Sequence, residues 1–519
     1  LQGLKVLFFN ILGEKMNVYE ILNKQAEAYK DKPAIIFKDQ KISFSNLKSN
    51  AFKLVNALKA QGISRGDKVA IYLPSCPEYV YSYLAVFCLG ATGIPLDFML
   101  KAEEITSCLN HSETKLLILA PKEGLAPEVI KQAVPSLEKI IVCHAETPET
   151  ISYQEIVSEA AAEIEDIDIS DSDLSLIMYT SGTTGKPKGV MLNYKHLEGS
   201  PAAMKHFVDL TDKDVKLSAL PLSHIAGFIY IQNCIRFGIT LVLMERFNPV
   251  GFLKNIQQYK VTCFHIVPAM YMAFLTLKHI DQFDLSSVRW MVVFGAPSSP
   301  DMMRLFNKNC PNARLLNGWG MTETCPPNTV TPLDSDKIES IGKSSPHCEI
   351  KLFDDDDKEV ASGQVGEIVI KGWVVMDGYY KDEELTRSLI KDGWFHTGDL
   401  GRFDDEGFLY IAGRKKEMIK VAGQIVFAPE VEACLYKHEA VAEAAVIGVA
   451  DEKLRGEAVR AFVVLKEGQI LASEDLRAFT RDHLAQFKVP QQIIIVDDLP
   501  KNRTGKIDKE ALKIKERTV

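Results

Sequence analysis

Leu174-Ser175-Leu176-Ile177-Met178, a short apolar run, leads straight into Tyr179-Thr180-Ser181-Gly182-Thr183-Thr184-Gly185-Lys186-Pro187-Lys188-Gly189. The first part reads as a buried strand and the second as a loop, in which nine of eleven residues are Gly, Ser, Thr or Lys. Glycines let backbone N–H groups crowd round an anion, hydroxyls add donors, and lysines add charge. An ordinary surface loop would not gather all three directly behind a buried strand, so the string reads as a cradle for polyphosphate. It is not the nucleoside-triphosphatase loop G-x-x-x-x-G-K-[ST], because Pro187 follows Lys186 and the glycine spacing differs.

Working outward, apolar runs of the same kind recur at residues 69–73, 116–119, 240–244 and 290–294, alternating with helical-looking stretches. That alternation predicts an α/β fold, with a large N-terminal domain of α/β subdomains and mainly parallel sheets. The pattern changes at residues 402–413, where an acidic loop round Asp404, Asp405 and Gly407 precedes a short strand at 408–412. Beyond it, a helix from Ala428, strands at 443–449 and 459–465, a helix from Glu474 and a strand at 492–496 read as a small α+β domain of about 100 residues. The expected division is a domain at 16–413, a linker at 414–419 and a mobile domain at 420–519. Residues 1–15 read as an upstream extension or cloning remnant ahead of Met16. Their apolar stretch at 4–12 falls well short of the roughly 20 residues that span a bilayer.

Hydrophobic residues at 46% and charged residues at 25% are those of an ordinary folded protein, which sets aside disordered, collagenous and disulfide-scaffold classes. A formal charge of −9 argues against a nucleic-acid partner, although a nucleotide pocket needs only local positive charge. Ten cysteines without a C-x-x-C pair indicate neither a zinc site nor a disulfide framework and fit a reducing, cytoplasmic compartment.

Four more strings follow the loop in order: Asn317-Gly318-Trp319-Gly320-Met321-Thr322-Glu323-Thr324, Gly393-Trp394-Phe395-His396-Thr397-Gly398-Asp399-Leu400, Gly413-Arg414-Lys415-Lys416, and Asn502-Arg503-Thr504-Gly505-Lys506-Ile507. Together the five strings resemble the signatures of the adenylate-forming superfamily of acyl-CoA synthetases, luciferases and peptide-synthetase adenylation enzymes, over residues 17–512. The resemblance implies an ATP-dependent carboxylic acid–CoA ligase that makes an acyl-AMP and then an acyl-CoA, with Mg²⁺ as its ion and ATP and coenzyme A as co-substrates.

Joining a carboxylate to a phosphate brings two anions together, so the site must neutralise charge. By resemblance the phosphates fall to Thr180, Ser181, Gly182, Thr183, Thr184, Gly185, Lys186 and Lys188, with Glu323 and Thr180 holding the metal. Gly295-Ala296-Pro297 with the Trp319 ring look like the adenine slot, and Asn317, Gly318, Gly320, Met321 and Thr322 belong to the same implied ATP/AMP-binding set; ribose falls to Asp399, placed in a Thr-Gly-Asp turn at a strand end, with Arg414 in support. Lys506, Glu323, Thr183 and His224 are the implied catalytic group, Lys506 bridging carboxylate and α-phosphate. Lys416 takes the hinge position, and Lys420 and Gly423 serve the thiol half-reaction. Each residue also has a plainer reading: a turn aspartate, a helix-start acid, a core tryptophan, a solvated tail lysine. After Gly423 the chain reads Gln424-Ile425-Val426-Phe427-Ala428-Pro429-Glu430, a departure from the usual pattern that bears on the second half-reaction.

Pro221-Leu222-Ser223-His224 matches the segment that lines the acyl pocket, with Ile225, Phe228, Gly295 and Gly320 beside His224. The stretch Ile225-Ala226-Gly227-Phe228-Ile229-Tyr230 has no carboxylate to pair an α-amine, so the expected acid is an aliphatic (fatty) or aromatic monocarboxylate. Two other readings stay open: a stand-alone enzyme loading an acyl carrier protein in trans, and a non-catalytic nucleotide-binding relative. A carrier protein and a second copy of the chain are the macromolecular partners left open; nucleic acid and a membrane span are not expected.

Overall fold

The computed structural model describes residues 17–145, 150–180, 188–295, 300–421, 424–451, 456–501 and 507–517. Two large sheets form the body. The first has eight strands, with a parallel centre at Lys68–Tyr72, Thr92–Pro95, Leu116–Leu119 and Lys139–Val142, and Leu174–Thr180 parallel to Thr92–Pro95. The second has nine strands, with Val215–Ser218, Thr240–Leu243, Cys263–Ile266, Trp290–Val293 and Arg314–Trp319 running parallel. Runs such as Leu-Leu-Ile-Leu and Trp-Met-Val-Val have no polar alternation because both faces are covered, which is the pattern of buried parallel strands.

Helices Pro77–Cys88 and Ile225–Phe237 form a layer within the core that joins both sheets. Every residue of the first except Glu78 is buried, and its Tyr83 ring lies 5.1 Å from Phe228 of the second. A helix apolar all round belongs in such an interior layer. The expectation of mainly parallel sheets holds here, and antiparallel pairing is confined to edges and to a third, five-stranded sheet built from Cys348–Phe353, Gly366–Gly372, Ile390–Lys391, Trp394–Phe403 and Leu409–Arg414.

Two local readings are corrected. The strand expected to stop at Met178 continues to Thr180, and Thr180 pairs with Lys188 of the antiparallel strand Lys188–Asn193, so residues 181–187 join the two arms of a hairpin. Asp399 does not end a strand: it lies inside Trp394–Phe403, just before a bulge at Leu400 and Gly401. Gly398 takes φ +72°, which is why the string reads as a turn in sequence.

The C-terminal part is α+β, as expected. A hairpin of Met418–Val421 and Gln424–Phe427 precedes a sheet of Val441–Asp451, Gly456–Leu465 and Gln492–Ile495, flanked by helices Ala428–Tyr436, Ser473–His483 and Lys509–Arg517. Val426, Val431, Val446, Val459 and Leu476 give it a core of its own. Lys509 of the last helix pairs with Glu432 at 2.8 Å and with Glu417 at 3.3 Å, and these carboxylates hold its pKa above the ordinary lysine range despite burial.

Candidate active site

The loop hairpin sets the base of the site. Gly189 accepts the backbone N–H of Tyr380 at 2.8 Å, and the short strand Gly378–Tyr379 runs along the outer edge with Tyr379 opposite Val190. That register delivers the Tyr379 hydroxyl to Glu323, where it donates to Oε1 at 2.9 Å. The backbone carbonyl of Glu323 in turn accepts from Met376 N at 2.8 Å. Glu323 lies in the single turn Thr322–Thr324 and is buried. Burial raises its pKa, while Tyr379, Arg414 and Lys188 act in the opposite direction. The Lys188 ammonium stands 5.9 Å from the Tyr379 ring.

Among the described residues no cluster of three or more His, Cys, Asp or Glu side chains is arranged to hold a metal. A lone carboxylate beside the loop that the resemblance gives to the phosphates suits Mg²⁺, which keeps waters and is shared with substrate phosphates rather than caged by protein. Glu323, with Thr180 at the hairpin rung, fits that donor set.

The second half of the site centres on Asp399. Its Oδ2 accepts from the Trp319 indole at 2.9 Å and its Oδ1 meets Arg414 Nε at 2.8 Å. Thr397 Oγ1 accepts from Asp399 N at 3.1 Å, and Glu367 Oε1 accepts from Gly398 N at 3.0 Å. Each Asp399 oxygen keeps a further lone pair, so the carboxylate can accept ribose hydroxyls in addition. Trp319 ends the strand Arg314–Trp319 between two glycines whose missing side chains matter: a Cβ on Gly318 would lie 2.2 Å from the Phe294 ring, and one on Gly320 2.5 Å from Pro326. Gly295, two residues past strand Trp290–Val293, has φ +93°, a backbone conformation that favours glycine. Asn317 and Thr322 are buried, and Asn317 Oδ1 accepts from Gly318 N at 3.1 Å. Met321 directly precedes the turn that carries Glu323.

His224 is the N-cap of helix Ile225–Phe237, its Nδ1 accepting from Ala226 N at 3.3 Å, and its side chain is exposed. The segment before it is pinned, with Tyr83 donating to Leu222 O at 3.0 Å and Leu222 N donating to Ser75 Oγ at 3.3 Å. Ile225 and Phe228 are buried, and Phe228 packs on Tyr83 and Phe87 rather than standing open at a pocket wall. Lys416 is exposed in the turn Lys415–Glu417, and Lys420 is exposed on strand Met418–Val421. Ser181, Gly182, Thr183, Thr184, Gly185, Lys186, Ala296, Pro297, Gly423 and Lys506 lie outside the described residues.

Sequence reasoning missed Tyr379, Glu367 and Lys415. Buried Glu367 takes His396 Nδ1 at 3.2 Å and Lys415 Nζ at 3.2 Å, while Lys415 also pairs with Asp355 at 3.0 Å. The two acids raise the Lys415 pKa against its desolvation. The Gly378-Tyr379-Tyr380 string was the available signal for Tyr379; Glu367 carried none beyond being an acid in an apolar strand.

The family model described as AMP-binding enzyme matches residues 22–380, and the AMP-binding enzyme C-terminal domain matches residues 430–506. The chain belongs to the AMP-binding enzyme family. This AMP-binding enzyme is 32% identical to the long-chain-fatty-acid–CoA ligase of Bacillus subtilis (strain 168), over 94% of its own length and 92% of the relative's. It is 34% identical to the 2-succinylbenzoate–CoA ligase of Bacillus velezensis, over 95% and 96%. Among solved structures it superposes on the anthranilate CoA ligase AuaEII in complex with anthranoyl-AMP with a TM-score of 0.91, at 27% identity over 97% and 98% of the two chains. Against the Bacillus subtilis o-succinylbenzoate CoA synthetase bound to ATP and magnesium the TM-score is 0.82, at 29% identity over 95% and 99%. The AMP-binding enzyme is thus an ATP-dependent acid–thiol ligase of the acyl-CoA synthetase kind, with ATP and coenzyme A as co-substrates and magnesium as its ion. No helix among its described residues is long and apolar enough to cross a membrane.

Proposed function

We propose that the chain activates an aliphatic or aromatic acid in two half-reactions at this one site, in the cytoplasm. The observation that carries the reading is the convergence of Glu323–Tyr379 at the loop base with the Trp319–Asp399–Arg414 chain. Trp319 offers a ring face to adenine, Asp399 accepts the ribose hydroxyls, and Arg414 orients Asp399. The loop at 180–188 supplies donors to the phosphates. Glu323 and Thr180 are the residues that hold Mg²⁺, which when bound supplies charge neutralisation to the phosphates. Lys506 screens the substrate carboxylate as it attacks the α-phosphorus and pyrophosphate leaves. The coenzyme A thiolate then attacks the acyl carbonyl and AMP leaves. Between the steps the domain at 420–519 turns about Lys416, exchanging the Lys506 loop for the one at Lys420 and Gly423.

The test is pyrophosphate release from Mg-ATP over a panel of acids, with and without coenzyme A, for the full chain and for Lys506→Ala. Lys506→Ala is expected to abolish acid-dependent adenylation while retaining thioester synthesis from supplied acyl-AMP. Equal loss of both steps would remove Lys506 from the first step alone. Release indifferent to coenzyme A would move the acceptor to a carrier-protein thiol.

A further inference from the structure

One face of the nine-stranded sheet, the face under helix Ile225–Phe237, carries polar side chains deep in the core. Lys216, Cys263 and Trp290 lie side by side in register, and His265 stands one rung on, opposite Val292. Alternation along a strand puts Ser218 on the same face as Lys216. The Lys216 ammonium is 4.8 Å from the Tyr230 ring and 5.8 Å from that of Trp290, and His265 packs 4.9 Å from Tyr230.

Four polar atoms in this row are fully buried without a hydrogen-bond partner among the described residues: Lys216 Nζ, Ser218 Oγ, His265 Nε2 and Trp290 Nε1. Tyr230 is not short of partners, since its hydroxyl donates to His265 O at 3.1 Å and accepts from His265 N at 2.6 Å. Buried polar groups are normally bonded, and two ring contacts do not replace the hydrogen bonds that a buried lysine gives up. Burial lowers the Lys216 pKa, and Asp214, which acts in the opposite direction, is committed elsewhere, to Arg289 at 2.7 Å and Thr262 at 2.7 Å. Trp and a protonated lysine can only donate, and Ser and His can donate as well. What the row lacks is an acceptor, and an anion suits it best.

Ring contacts link the row to the candidate active site. His265 lies 5.2 Å from Phe294, and Phe294 packs on Gly318, beside Trp319. From Phe294 back to Trp290 is four residues of extended chain, about 13 Å. We infer that the acid this enzyme activates carries a second anionic group at its far end, a distal carboxylate seated between Lys216, Ser218, His265 and Trp290. This rests on the ligase reading and on the acyl pocket that the resemblance implies beside Ile225, Gly295 and Gly320, and names what lies at its end. Lys216 is then the residue that sets specificity: a distal carboxylate beside it favours its protonated form and pairs it.

The experiment compares straight-chain monoacids with α,ω-diacids of matched length on the full chain with Mg-ATP and coenzyme A, for wild type and for Lys216→Met. At one chain length wild type is expected to favour the diacid in kcat/KM by about tenfold or more, as sites with buried polar groups reject ligands that leave them unpaired. Lys216→Met is expected to erase that preference while monoacid turnover stays within about threefold, and Lys216→Gln, which keeps a donor, to recover part of it. Absence of any diacid preference in wild type, or a proportional fall for both acids in Lys216→Met, overturns the inference. Turnover of no acid at all strikes the ligase reading instead. In that case calorimetric binding of the two acids decides the distal site, and equal affinities overturn it.

Discussion

Glu323 holds a carboxylate out of water at the base of the proposed phosphate loop, and its protonation depends on what replaces that water. Burial raises its pKa and the Tyr379 hydroxyl lowers it. Tyr379→Phe therefore raises the pKa further, so the acid limb of the adenylation pH profile shifts upward. Adenylation at neutral pH is expected to fall by roughly tenfold, the worth of one hydrogen bond to a charged group. Steady-state pyrophosphate release between pH 5 and 9 checks both. Glu323→Gln separates stability from function. A carboxyl whose folded pKa is raised gives up stability as pH climbs through that pKa, because the native state then holds a charge the unfolded state solvates better. The uncharged amide is expected to raise Tm at pH 7.5 relative to wild type, with the gain disappearing at pH 4, while acid-dependent adenylation is lost. Thermal melts at the two pH values decide it.

At the scale of elements, the ends of neighbouring strands are crowded where Trp319 is aimed. A methyl on Gly318 has no room against Phe294. Gly318→Ala is expected to cost about 1–3 kcal/mol, as overpacking does, and Gly318→Ala with Phe294→Leu to recover part of it in chemical denaturation. The apolar runs at 116–119 and 290–293 were legible as strands because strands buried on both faces read as continuous hydrophobic runs, and four residues are too few for a buried helix. The hairpin was not, since Lys188-Gly189-Val190-Met191-Leu192-Asn193 carries no turn signature that distinguishes a returning strand from a helix start. Asp399 was misplaced because Gly398 announces a turn and delivers a bulge within a strand. The partners of Glu323 and Lys415 were beyond reach for another reason: Tyr379 is 56 residues from Glu323 and Glu367 is 48 from Lys415, and only sheet register brings each pair together. The resemblance supplied the roles of the signature residues, but not the side chains that hold them in place.

For the whole molecule, the proposed cycle asks one linker to serve two geometries. Lys416→Pro fixes φ at that position and removes an N–H. It is expected to leave adenylation within about threefold and to suppress thioester formation by 10²-fold or more, as loss of a gating motion does. Pyrophosphate release and acyl-CoA yield, measured on the same sample, give the ratio. A protein that loses both steps equally has no hinge at Lys416.

The ion pair from Lys509 to Glu417 bears on how such a turn would be transmitted. Glu417 is the first residue past the proposed pivot, and Lys509 lies three residues after Lys506. Fastened to one another, the axle and the far end of the chain move as a crank moves with its handle. If the proposed pivot turns, helix Lys509–Arg517 would not be towed behind the rotating body with slack in the line: it would be geared to the axle, so that a given angle at Lys416 would fix how far that helix travels.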